Sequence, residues 1–274
     1  MPKHIEMTIQ DVVTMSDSAS ASSSAITKTS SEITFVLATP LRIRELYGLP
    51  SNIRVQRTGE KQSIVHRYET AITPIILAEA RKNTDAILDY IFSITRQETN
   101  YSISTFTQIK EGDNPPKGWG TVSTGMDVYL IFEERDNLDL TSIFSGSSVG
   151  TNDKIIFIRE YAAFKKAKEP QYKLGHAYVI IEKLQALQIQ SVRPKTDEDP
   201  TLNEIRAFRN FTHHLKLDSD HQIKIIENAG ISDPRNFNHH DVEQIGIINR
   251  LIPKFDTYLR EALEQNGITF NVNT

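Results

Sequence analysis

The sequence predicts an α+β protein, with an N-terminal mixed α/β part built on a small sheet and a C-terminal helical part. Three observations carry that reading. From residue 33 short β-branched runs are broken by Pro and Gly; from Thr73 the apolar period becomes helical; and from residue 172 helical spacing dominates to the end, interrupted by a charged, proline-bearing stretch at 191–201. The expected divisions are a flexible Ser-rich tail over 1–31, a mixed α/β region over 32–168 and a helical region over 169–274.

The tail follows from composition. The run "SDSASASSSAITKTSSE" offers almost nothing to bury, so it cannot offset the entropy of ordering. It is a solvated terminus or an arm that docks on a partner. From 33, "ITFVLATPLRIRELYGLPSNIRV" predicts strands and turns. In "TPIILAEARKNTDAILDYIFSITRQE", Thr73 can cap and Pro74 suits a first helical position. Ile76, Ala80, Ile87, Leu88, Ile91 and Ile94 then form a stripe, giving a core helix of about 22 residues.

Residues 110–120, "KEGDNPPKGWG", predict a turn-rich loop whose Trp119 packs on the sheet. "DVYLIFEER" and "DKIIFIREYAAF", either side of a Gly and Ser loop, predict two strands. A helix follows through Leu174, Ala177, Tyr178, Ile181, Leu184 and Leu187, and "SVRPKTDEDPT" is the strongest linker signal. Beyond it lie "LNEIRAFRNFTHHLKL", "SDHQIKIIENAG" and a final helix kinked or split at Pro253.

Composition narrows the function classes. A chain of 274 residues, 38 % hydrophobic and 24 % charged, is within the range of globular proteins. A formal net charge of -4 argues against coating nucleic acid by bulk electrostatics and leaves room for a local basic face. The absence of cysteine excludes disulfides, thiolate zinc sites and cysteine nucleophiles, and fits the cytoplasm. No apolar run reaches the roughly 18 residues of a membrane span. "MPKHIEMTIQDVVTM" also lacks the apolar core of a signal peptide. A soluble protein with no membrane partner is expected. No glycine-rich phosphate cradle is present, and no cofactor is expected. Arg42, Arg44, Arg54 and Arg57 lie at near-alternating spacing around two expected strands, where they line one sheet face for RNA or are simply solvated.

The segment with chemical content is "RNFTHH", residues 209–214, which has a near-copy in "RNFNHH", residues 235–240. Leu202, Ile205, Phe208, Phe211 and Leu215 make one helix face apolar, so the polar set is displayed elsewhere. Arg209 and His213, and Asn210 and His214, are four apart, which stacks each pair along the helix. An imidazole titrates near 6.5 and passes protons at neutral pH, while a guanidinium forks onto a phosphate and stabilises charge developing on it.

This arrangement resembles the R-x(4-6)-H signature of HEPN domains. Arg209 matches the family's Arg, Asn210 its polar neighbour and His214 its His; His213 falls one position early. The resemblance covers at most residues 172–265. It implies an all-helical domain, a homodimer that joins two motifs into one composite site, and metal-independent ribonuclease activity typical of toxin and antiphage systems. Arg209, Asn210 and His214 would then be catalytic, with Arg206 and His213 binding RNA, and the N-terminal region would sense a trigger or bind a protein partner.

Two other readings remain open for the histidines. They belong to a polar helix face, or His213, His214, His239 and His240, helped by His221, hold a metal, although the H-x3-H spacing is missing. For the whole chain the alternative is a non-catalytic structural or interaction protein, a viral or bacterial assembly subunit or an RNA-binding scaffold. Pro234 disfavours helix at Asp233, so the second hexapeptide is expected to be a helix start and not a second active site, with Asn238 the N-cap of the next helix and Asp241 in its first turn.

Overall fold

The computed structural model describes residues 29–110, 118–120, 136–145, 149–187, 199–213, 217, 219–270 and 272–273. They fall into two compact units, one from residues within 1–88 and 97–137, the other from residues within 89–96 and 138–274. The helical unit thus starts at Leu138, well ahead of the expected boundary at 168, and takes in the end of the first helix.

In the first unit β1 (Thr29–Leu37), β3 (Ile53–Thr58), β4 (Lys61–Tyr68), β5 (Tyr101–Lys110) and β6 (Gly118–Gly120) form an antiparallel sheet in the order β3-β4-β1-β5-β6. A further strand, β2, spans Ile43–Tyr47. The expected tail runs three residues too far, because Thr29 to Ser31 already pair in β1, and the buried Ser31 hydroxyl donates to the Thr70 carbonyl at 2.6 Å. Along β1, Ile33, Phe35 and Leu37 are buried while Glu32, Thr34 and Val36 between them are partly exposed, the alternation of a sheet with one core face. Thr58 pairs with Lys61 around a two-residue turn in which Gly59 has φ +60, a conformation open to glycine at little cost. Trp119 lies in β6 opposite Phe106.

The first helix, α1 (Pro74–Thr95), has the expected bounds, and the Thr73 hydroxyl accepts from the Ile76 amide at 3.3 Å. Its Thr84 hydroxyl lies 2.9 Å from Nε2 of His66, which is fully buried in β4. His66 also packs edge-on against Phe35 and stacks with Tyr68. Its Nδ1 and the Tyr68 hydroxyl are buried without a hydrogen-bond partner among the described residues. Burial lowers the His66 pKa to about 4, and burial, then Glu79, raises that of Tyr68 to about 12.

The strand β7 (Asp136–Asp139) spans the division at 137/138, and the second unit continues with α2 (Thr141–Phe144), α3 (Thr151–Lys166), α4 (Pro170–Ala186), α5 (Pro200–Thr212), α6 (Asp220–Asn228), α7 (Val242–Gln265) and β8 (Val272–Asn273). "DKIIFIREYAAF" is therefore α3 and not a strand. Its run Ile155 to Ile158 has strand-like chemistry, but Ile158, Tyr161, Ala162 and Phe164 continue the burial at helical intervals. Lys154 in α3 is buried too, its ammonium donating to the carbonyls of Ser142 at 2.6 Å and Ser145 at 3.0 Å. "DVYLIFEER", most of the linker stretch, the Trp119 side chain, His214 and Leu215 lie outside the described residues.

The final helix is continuous through Pro253 rather than split. Its N-cap is Asp241, whose carboxylate accepts from the amides of Glu243 at 2.9 Å and Gln244 at 3.1 Å. Asn238, expected as the cap, accepts instead from the His240 amide at 2.9 Å within the preceding turn. No helix among the described residues is long and apolar enough to cross a membrane.

Candidate functional site

The strongest candidate is the polar stripe that α5 lays along α4. Asp199 starts α5, its carboxylate accepting from the Leu202 amide at 3.0 Å and from the Tyr258 hydroxyl at 2.7 Å, and Pro200 supplies the first helical turn. Leu202, Ile205, Phe208 and Phe211 are buried as expected, with Phe208 against Phe255. That burial fixes the rotation of α5 and so decides where its polar residues go.

Arg206, Arg209 and His213, spaced three and four apart, meet Gln185, Tyr178 and Gly175 of α4, which runs the other way. Arg206 Nη2 donates to Gln185 Oε1 at 2.9 Å, and its Nε is buried without a partner among the described residues. The Arg209 guanidinium sits 4.5 Å from the centroid of the Tyr178 ring. His213 lies over Gly175, where an added Cβ would come 3.4 Å from its Nε2. Burial, and next Glu182, raise the Tyr178 pKa, and the two guanidiniums oppose that rise.

His213 Nδ1 is 3.0 Å from the Arg209 carbonyl oxygen, which can only accept. The Thr212 hydroxyl lies 3.2 Å from the same nitrogen; when Nδ1 donates to the Arg209 carbonyl, the neutral ring of this exposed side chain keeps its lone pair at Nε2. This is the posture of a general base, one helical turn from a guanidinium already held in place.

Asn210 is placed differently from the expectation of an open catalytic residue. It is 8 % exposed and turns toward α6, donating from Nδ2 to Gln222 Oε1 at 3.3 Å, while its Oδ1 accepts from Arg209 Nη1 at 3.2 Å. Its place in the site is to orient Arg209. The structure thus groups Arg206, Arg209 and His213 and puts Asn210 behind them.

The second hexapeptide is neither a helix start nor a copy of this site. Residues 235–240 form turns, Phe237 is buried, and its ring meets that of Phe211 edge-to-face at 5.3 Å. The two near-copies touch through their shared phenylalanine, while His239 and His240 remain exposed. Among the described residues no three His, Asp or Glu are grouped as metal ligands.

The helical unit also holds a pocket of about 750 Å³ that sequence reasoning missed. It draws on three distant segments, 93–96, 161–165 and 256–264, together with Phe270. No motif marks any of them; the only signal was the density of charge in "DTYLREALE".

No protein-family model, no curated protein and no solved structure matches this chain.

Proposed function

We propose that the helical unit binds RNA along the α5 stripe and cleaves it without a metal ion, as a HEPN-like ribonuclease acting as a homodimer in a toxin or antiphage system. The observation that carries this reading is His213: an exposed imidazole whose Nδ1 lies 3.0 Å from the Arg209 carbonyl oxygen, one turn from the Arg209 side chain. Arg206 and Arg209 bind the phosphate oxygens and stabilise the charge that builds on them. A histidine removes the 2'-hydroxyl proton, the 2'-oxygen bonds to phosphorus, and the P–O5' bond breaks. The departing oxygen takes a proton from an acid supplied by the second motif of the dimer. The products are a 2',3'-cyclic phosphate and a 5'-hydroxyl end. His214, the resemblance's catalytic His, is the candidate for one of these proton transfers.

The alternative, a non-catalytic interaction protein, draws support from the burial of Asn210 and the stacking of Arg209 on Tyr178, since both occupy polar groups with packing. Cleavage of RNA in EDTA separates the two. Under the ribonuclease reading the wild type leaves cyclic phosphate ends, and folded Arg209→Gln, His213→Ala and His214→Ala proteins identify the groups responsible. If the wild type is inert, or if all three variants cut as well as it does, the interaction reading replaces this one.

A further inference from the structure

We infer that the pocket between the end of α1, α3 and α7 is a binding site for a small anion that carries hydroxyl groups, of the sugar phosphate or mononucleotide class. This goes beyond the ribonuclease reading and does not depend on it.

Three cations border the pocket, and two are already neutralised. Lys165, with only a tenth of its side chain exposed, is paired with Asp256, which also accepts from the Tyr161 hydroxyl at 2.7 Å. Arg260 donates to Glu264 at 2.8 Å and to the Phe270 carbonyl at 3.1 Å. The third, Arg96, has no carboxylate partner among the described residues, and its field reaches Tyr161 and Lys165. It is the remaining group able to fork onto an anion.

Its backbone is a second, independent observation. Arg96 follows α1 with φ +63, the one non-glycine residue with positive φ among the described residues, and its amide donates to the Phe92 carbonyl at 3.0 Å. Helix ends of this kind favour glycine, which adopts the left-handed region without strain. An arginine there carries strain that glycine would not, and its side chain lines this pocket.

A second lining residue selects the rest of the ligand. Glu261 lines the pocket, is exposed, and has no cationic partner among the described residues. A carboxylate and a guanidinium lining one cavity suit a molecule that carries both an anion and hydrogen-bond donors; vicinal hydroxyls meet the second need. The volume falls within the roughly 300–1,000 Å³ range typical of whole small-molecule sites and exceeds what a bare ion fills.

The test is titration of the full chain with ribose 5-phosphate, AMP, ribose, adenosine and inorganic phosphate, followed by NMR shifts and calorimetry. Ribose 5-phosphate or AMP should perturb residues 93–96 and 256–264 rather than Arg206 and Arg209. Each should bind more tightly than ribose, adenosine or phosphate. Preference for AMP assigns the site to a nucleotide, and preference for ribose 5-phosphate to a sugar phosphate. Arg96→Gly should weaken that binding at least about tenfold while leaving the unfolding midpoint unchanged or higher, since glycine relieves the strain. Glu261→Gln should reduce the advantage over inorganic phosphate. The proposal is overturned if neither phosphorylated probe binds there, if phosphate alone binds as well, or if Arg96→Gly binds like the wild type.

Discussion

Lowering the pH below 6.5 should weaken the N-terminal unit through His66. Its pKa falls from 6.5 to about 4 on folding, because the ring is fully buried and charging it there is costly. Above pH 6.5 both states are neutral and the group has no effect on stability. As pH falls below 6.5 the unfolded chain gains a proton that the folded one refuses, so stability declines until the folded pKa is reached. At about 1.4 kcal/mol per pH unit, the separation amounts to about 3 kcal/mol by pH 4. Urea unfolding of wild type and His66→Gln between pH 7.5 and about 4.5 isolates the contribution, because Gln does not titrate and retains a polar group for Thr84. The stability difference between the two proteins should shift with pH below 6.5, and the His66 ring proton should titrate near 4 by NMR. A difference that stays level over that range, or a ring midpoint near 6.5, would refute the reasoning.

Three further outcomes are expected. Phe237→Ala should cost about 3 kcal/mol, since it removes a buried ring packed on Phe211, whereas Arg235→Ala on the exposed side of the same hexapeptide should stay within about 0.5 kcal/mol; urea denaturation compares them. Asp241→Ala should cost about 1 kcal/mol through loss of the α7 cap. If Asn238→Ala costs more in the same assay, the cap has been misassigned. With RNA cleavage established, His213→Ala should lower kcat by about 100-fold or more with little change in KM, and Gly175→Ala should lower it less by crowding the imidazole.

Where local rules and tertiary packing agreed, the sequence was readable. Thr73, Pro74 and the stripe from Ile76 to Ile94 define α1 without help from the rest of the chain. In α3 the β-branched run from Ile155 to Ile158 has the chemistry of a buried strand, and a helix buried on several sides loses the periodicity that would separate the two. The division between units was hidden because it passes within α1, where composition does not change. For the site, i to i+4 spacing put Arg209 and His213 one turn apart, and the contact found there is from the His213 ring to the Arg209 backbone carbonyl. The spacing gave no hint that Asn210, one position on, would turn about 100° away to α6. The pocket was invisible for a simpler reason: its charges are contributed by segments more than sixty residues apart in sequence, and only folding brings them together.

Lys154 has a practical consequence. Its amine is fully enclosed and bonded to two carbonyls, whereas Lys168 and Lys254 project into solvent. An amine-reactive label will therefore tag the surface lysines first and reach Lys154 only when α3 separates from the Ser142–Ser145 segment. Its acylation rate is a clock for opening of the helical unit, one that mass spectrometry can time without introducing any probe into the chain.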